Sequence, residues 1–250
     1  MIFDDILRHV PADAVLEDVS VGIFWTFVKT QYGSGMCATA HRWIEDPPGA
    51  LIDDAGSLVG KRVHDLAALY RSASLTARAL ALAAVSASCG PMTGQCEKMR
   101  AQELVAARCA LSSHPLRIAL IGHFHFAQSL RQAGHTLDIF ELENRCQPGD
   151  IPVTRAPELL RHADILLMTS STLITHATEE LLSFVRPETY KMIVGPSVPL
   201  SPVLWEYGLD AVCGSMITDA EGVSLAIRQG GTHKQLQGCE KVCFLGGNKH

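Results

Sequence analysis

The second half of the chain alternates short apolar runs with amphipathic stretches, and this alternation restricts the fold more than any other feature. The runs are Arg117-Ile118-Ala119-Leu120-Ile121-Gly122, 137–142, Asp164-Ile165-Leu166-Leu167-Met168-Thr169, Lys191-Met192-Ile193-Val194-Gly195 and Ala211-Val212-Cys213-Gly214. Short, nearly continuous apolar runs of this kind suit strands buried on both faces, as in a parallel sheet covered by helices. Helices are predicted between them at about 124–133, 157–162, 176–185 and 202–207, with another at 219–228. Ser201-Pro202 marks one start, a capping hydroxyl followed by proline at the first helical position, and Asp219 is placed to cap the last helix. The class is α/β, with a doubly wound, mainly parallel, Rossmann-like sheet. Right-handed crossovers are satisfied by the strand order 3-2-1-4-5. That order puts strands 1 and 4 side by side and opens a ligand crevice between the loops that follow them.

The first half has a different rhythm. Val19, Val21, Ile23, Trp25 and Phe27 are apolar at every second position, which predicts one strand over 19–27 with a buried face. Tyr32-Gly33-Ser34-Gly35 supplies a turn, 36–40 reads as a returning strand, and Asp46-Pro47-Pro48-Gly49 is a loop. Helices follow at 63–70 and 75–88, the second Ala/Leu-rich and stopped by Gly90-Pro91. A more polar helix at 97–111 turns Met99, Leu104 and Val105 inward. Ser112-Ser113-His114-Pro115 ends it, because proline cannot continue a helix. The expected organisation is a small α+β domain at 1–113 and a Rossmann-like domain at 114–250.

Composition narrows the partners. With 21 Lys+Arg against 26 Asp+Glu the net charge is −5, so there is no basic excess to bind a nucleic-acid backbone. Hydrophobic residues at 47% and charged residues at 19% describe a globular chain rather than a disordered one. Met1-Ile2-Phe3-Asp4-Asp5-Ile6 has no basic, long-apolar signal pattern, and the apolar stretch 79–87 falls far short of the about twenty residues that cross a bilayer. The expectation is a cytoplasmic protein with no membrane partner; a homo-oligomer is left open. Eight cysteines in a reducing compartment are no evidence of disulfides. Cys239-x3-Cys243, flanked by His233 and His250, lacks the spacing of a standard zinc site, and these thiols read as ordinary apolar side chains.

The candidate binding residues sit at the ends of the predicted strands. After strand 1 come Gly122, His123, Phe124, His125 and Phe126. After strand 3 come Thr169, Ser170, Ser171 and Thr172, leading to His176 at a predicted helix start, where an anion or a neutral imidazole is favoured. After strand 4 come Gly195, Pro196 and Ser197. Glu141 ends strand 2, 19 residues beyond Gly122, where Rossmann domains carry an acid that accepts bonds from ribose hydroxyls. The glycine fingerprint itself is missing: Phe124 and Ala127 occupy its second and third positions, so neither NAD nor FAD is expected. His123-x-His125 could share a transition-metal ion, supply acid or base, or place only one ring in the crevice. Ser197 lacks the nucleophile-elbow pattern and is expected to hydrogen-bond a ligand or the domain interface. The Thr169–Thr172 hydroxyls could wall a ligand or simply close local turns. In the first half, Thr39 is a candidate ligand contact, while His41, His64 and Asp65 read as surface groups.

Several of these stretches together resemble the heavy-metal chelation family, in which an enolase-N-terminal-like domain precedes a Rossmann-like domain. In the second half they are Ile121-Gly122-His123-Phe124, Phe140-Glu141, 164–173, Val194-Gly195-Pro196-Ser197-Val198-Pro199-Leu200-Ser201-Pro202 and 208–214. In the first half they are Gly22-Ile23-Phe24-Trp25-Thr26, Gly35-Met36-Cys37-Ala38-Thr39 and Leu82-Ala83-Ala84-Val85-Ser86-Ala87. The resemblance covers nearly the whole chain. It implies a site in the cleft between the domains and a role in handling metal ions or metal-chelating molecules. The chain departs from the pattern at Ser86 and around Thr175, where asparagines are expected. The leading expectation is a protein that binds a small polar ligand, a transition-metal ion or a metal-chelating metabolite. The alternatives are an enzyme using a nucleotide-type ligand such as S-adenosylmethionine, with Glu141 on the ribose, and a non-catalytic scaffold module.

Overall fold

The computed structural model describes residues 1–40, 46–90 and 96–246. His41, Pro91 and His250 lie outside the described residues. After a short helix α1 (Ile2–Leu7), three antiparallel strands form a small sheet in the order β1 (Leu16–Val21), β2 (Trp25–Thr30), β3 (Gly33–Ala38). The alternation expected to make one strand is therefore divided in two. The chain reverses at Gly22-Ile23-Phe24, where the Gly22 N–H donates to the Trp25 carbonyl at 2.8 Å. Ile23 continues the apolar period but sits on the turn and is exposed. Periodicity alone does not register a reversal that keeps its phase.

A 3-10 segment (Val63–Arg71) leads into α2 (Leu75–Ala87), whose first turn is capped by the Ser74 hydroxyl accepting from the Ala77 N–H at 3.2 Å. Only Arg78 and Ser86 of α2 escape full burial, so this helix is a core element rather than an amphipathic cover. It lies directly on β3. A Cβ at Gly35 would stand 2.4 Å from both the Ala83 carbonyl oxygen and the Ala87 nitrogen, a separation only glycine permits. The other face of the small sheet packs on the second half of the chain, through Phe27 and Met36 against Val223, Ile227 and Leu236.

The larger sheet is built from β4 (Arg117–Ile121), β5 (Thr136–Glu141), β6 (Ile151–Pro152), β7 (Ile165–Thr169), β8 (Tyr190–Val194), β9 (Ala211–Ile217) and β10 (Cys239–Leu245). Its order is β10-β9-β8-β7-β4-β5-β6, parallel except for β10 on β9. The doubly wound class is thus as expected, and the strand order is not. The five expected strands run 2-1-3-4-5, with β4 pairing β7 (Ile118 to Ile165, Ile121 to Met168), so the first and fourth are separated by the third. Right-handed crossovers allow either order. The choice depends on which edge of the growing sheet the third strand joins, and local pattern carries no record of that.

The helices of this half are α4 (Ala127–Gln132), α5 (Ala156–Leu159), α6 (Ser171–Ile174), α7 (Thr178–Ser183), α8 (Val203–Glu206) and α9 (Ala220–Arg228). Asp219 caps α9, its carboxylate accepting from the Gly222 N–H at 3.0 Å, and Ser201 accepts from the Val203 N–H at 3.4 Å at the start of α8. The helix preceding Pro115, α3 (Ala101–Ala110), lays Val105 and Cys109 on the large sheet against Ile118, Leu120 and Leu167. The segment before it is joined to β10 by paired backbone bonds of 2.9 Å between Glu97 and Cys243. The Cys239-x3-Cys243 stretch is therefore part of a strand, with Cys243 buried beside Cys213 rather than beside Cys239. No helix among the described residues is long and apolar enough to cross a membrane.

Candidate functional site

In the order 2-1-3-4-5 the crossovers diverge after β4 and β7, and ligands of doubly wound folds occupy the crevice at that switch point. Gly122 follows β4 with φ +90°, and its N–H donates to the Phe140 carbonyl at 2.8 Å. That left-handed turn brings the next residues over the ends of the strands. A cavity of about 290 Å³ opens there. Ile121, Phe140, Leu142 and Leu181 give it apolar walls, while Thr169, Ser171 and Thr175 contribute hydroxyls.

Glu141 stands at its rim, only 8% exposed. One carboxylate oxygen accepts from the Leu142 N–H at 2.9 Å; the other lies 3.3 Å from His123 Nδ1 and 3.8 Å from the Arg145 guanidinium. His123 Nε2 is 2.8 Å from Asp150, which also accepts from the Gln147 N–H at 2.7 Å. The His123 ring is therefore held between two carboxylates, one on each nitrogen. Arg145 and Asp150 were not anticipated from the sequence. They lie in the loop after strand 2, where no motif singles them out.

His125 goes elsewhere. Its Nε2 meets Gln102 Oε1 at 3.1 Å, and with Phe124, Gly195 and Pro196 it lines a second cavity of about 500 Å³. The two cavities lie on opposite faces of the sheet: the first adjoins the core that contains Ile121 and Phe140, the second the core that contains Leu120 and Phe126. Thr169, at the end of β7, borders both. A shared ion between His123 and His125 is thus not what the structure builds. The pair sits in a loop turning from β4 into α4, where a spacing of two residues does not mean a common face. Among the described residues no three His, Cys, Asp or Glu side chains are grouped to hold a metal ion.

The hydroxyl residues divide between ligand wall and local structure. Thr172 donates to the Thr169 carbonyl at 2.8 Å and accepts from the Thr178 hydroxyl at 2.8 Å. Ser170 is buried and accepts from the Ser197 N–H at 3.2 Å. Ser197 is itself buried, and its hydroxyl accepts from the Ala38 N–H at 2.9 Å, tying the loop after β8 to β3. Of the two roles expected for Ser197, the structure takes the interface. Thr39 is buried against Thr26 at 3.1 Å and lines neither cavity. The Cys37 thiol between these elements is pushed up to about 12 by burial, so it remains protonated.

His176 lies in the turn between α6 and α7 rather than at a helix start, with φ +61°. Its ring packs on Tyr70 at 4.6 Å, and its Nε2 is buried with no partner among the described residues. Burial, then the nearby Arg78, lowers its pKa from the ordinary 6.5. Above that value the imidazole is neutral in both folded and unfolded chains. As pH falls through it, the unfolded chain takes up a proton that the folded chain resists, and stability declines. His176→Asn, which tolerates the left-handed backbone, is expected to lose less stability than the wild type between about pH 7.5 and about pH 5.5 in urea titrations. His233 shifts the same way, so the difference between the two proteins isolates His176. Equal losses would refute the assignment.

A doubly wound sheet with a mainly apolar cavity, edged by hydroxyls, at its switch point defines a Rossmann-like protein. The chain belongs to the DUF364 family, described as "Putative heavy-metal chelation", whose model matches residues 112–244. A companion family, DUF4213, carries the same description and matches residues 3–89. A DUF364 protein of unknown function from Desulfitobacterium hafniense DCB-2 shares the fold with a TM-score of 0.84 at 20% identity, covering 98% of each chain. Another, from Pyrococcus horikoshii, gives 0.80 at 16% identity, covering 98% of this chain and 100% of that one. Among curated proteins, none matches the chain.

Proposed function

We propose that the protein binds a small organic molecule in the switch-point cavity beside Glu141, and that a heavy metal it handles arrives chelated by that molecule. The observation carrying this reading is the nearly buried Glu141 carboxylate at the rim of a cavity of about 290 Å³ with apolar walls. A bare ion would call for three or more converging donors, whereas an organic chelate brings its own and asks the protein for apolar surface and a few hydrogen bonds. The family description is one of chelation and agrees with either form of the metal. In this reading Gly122, His123, Thr169, Ser171 and Thr175 shape the pocket, and Glu141 accepts the ligand's hydroxyl or N–H. All of the cavity's lining comes from 114–250, so the ligand sits at the switch point rather than in the cleft between the two parts of the chain.

A second reading is favoured by the position of Glu141 at the end of β5, next to β4. That is where an acid receives ribose hydroxyls in nucleotide-binding sheets, which suits a nucleoside-type ligand such as S-adenosylmethionine. A thermal-shift panel separates the readings. It holds nickel and zinc chlorides, the same metals as picolinate complexes, picolinate alone, adenosine and S-adenosylmethionine. A ligand at about a hundredfold excess over its Kd stabilises by about 2.7 kcal/mol. The expected result is a rise with the metal picolinates that disappears in Glu141→Ala. A rise with adenosine or S-adenosylmethionine, lost in the same variant, would favour the second reading. A response to the chlorides alone that survives Glu141→Ala would overturn both.

A further inference from the structure

The second cavity has a chemistry of its own. Arg100, His125, His233 and Lys241 line it, and among the described residues no Asp or Glu does, although the chain as a whole is acidic. Neither the Arg100 guanidinium nor the Lys241 ammonium has a carboxylate partner among the described residues. The nearby acids are committed elsewhere. Glu240, next along β10, pairs with Lys98 at 2.8 Å, and Glu103 accepts the backbone N–H of Arg100 at 3.0 Å. Lys241 Nζ is instead held by neutral acceptors, donating to the Ser215 hydroxyl at 3.1 Å and to His233 Nε2 at 2.5 Å. The cavity walls partly desolvate the Lys241 ammonium and the His233 ring and lower both pKa values, a cost that a bound anion would offset. The same cavity is also lined by Met99, Phe124, Val194 and Pro196, which give it apolar surface.

We infer that this cavity binds a small organic anion, its oxyanion group held by Arg100 and Lys241 and its apolar body against Phe124 and Pro196. Arg100 offers a planar fork of donors and Lys241 a point charge, which suits a carboxylate or a phosphate. Gln102, and the Ser215 hydroxyl released as Lys241 turns to the anion, are within the same cavity to complete its hydrogen bonds. The site is separate from the one beside Glu141, on the other face of the sheet.

The test is calorimetric titration of the full chain with phthalate and phenyl phosphate, and with their uncharged counterparts phthalamide and phenol. The anions are expected to bind at millimolar or lower concentration, the uncharged compounds not at all, and affinity should fall with added salt. Arg100→Gln with Lys241→Gln should weaken binding about tenfold or more. Both side chains are on exposed residues, so the variant's thermal midpoint is expected to stay near the wild type's, while Glu141→Ala should bind the anions as the wild type does. Binding of phthalate alone would identify a carboxylate site, and of phenyl phosphate alone a phosphoryl site. No binding of either anion would overturn the inference. So would equal binding of the uncharged compounds, or anion binding that is lost in Glu141→Ala but kept in the double variant.

Discussion

Gly35→Ala is expected to lower the thermal midpoint by about 6–12 °C. The added methyl would lie 2.4 Å from backbone atoms of both Ala83 and Ala87 and 2.8 Å from the Ser86 side chain. None of these is the movable end of a long side chain, so β3 and α2 must separate. Overpacking usually costs about 1–3 kcal/mol, and contacts against backbone on two sides put this position at the upper end. For a chain of this size each kcal/mol moves the midpoint by about 2–4 °C. Thermal unfolding followed by circular dichroism measures it, and an unchanged midpoint would mean that the strand and helix do not approach as described.

Phe27→Ala is expected to cost about 3–5 kcal/mol in urea unfolding. Phe27 is fully buried between Met36 of its own sheet and Val223, Ile227 and Leu236 from the second half of the chain. The small sheet is thus enclosed by α2 on one side and by α9, an element from the far part of the sequence, on the other. Removing the ring should weaken both halves together and keep one cooperative transition. A loss below about 1 kcal/mol, or a separate early transition of the first half, would show that α9 does not hold the small sheet in place.

What could be read from the sequence follows from what the residues had to satisfy locally. Strands β4, β7, β8 and β9 are buried between helices, so their apolar runs are continuous and their positions could be read directly. The cap at Asp219 was legible for the same reason, since one side chain meets one turn. The strand order depends on pairings between residues far apart in the chain, such as Ile118 with Ile165, and no short window records them. β10 was obscured because Glu240 and Lys241 interrupt its apolar character over the less buried first half of the strand. In the site, Glu141 and Gly122 were recognisable from their positions at strand ends. The divergence of His123 and His125 was not, because loop residues follow the local backbone path rather than a period. The second cavity could not be assembled in advance: Arg100 comes from before α3 and Lys241 from β10, about 140 residues apart, and only the docking of those two segments makes them neighbours.

The large sheet also ends in an instructive way on each side. β6 contributes two residues, and one of them, Pro152, has no N–H to offer a neighbour. Along β10, Glu97 already occupies the outward donor and acceptor of Cys243. Among the described residues, one rim is too short to extend and the other is interrupted midway, so an incoming strand from another molecule meets a broken template on either side. Fibril-like stacking through the margins of the large sheet is disfavoured by construction.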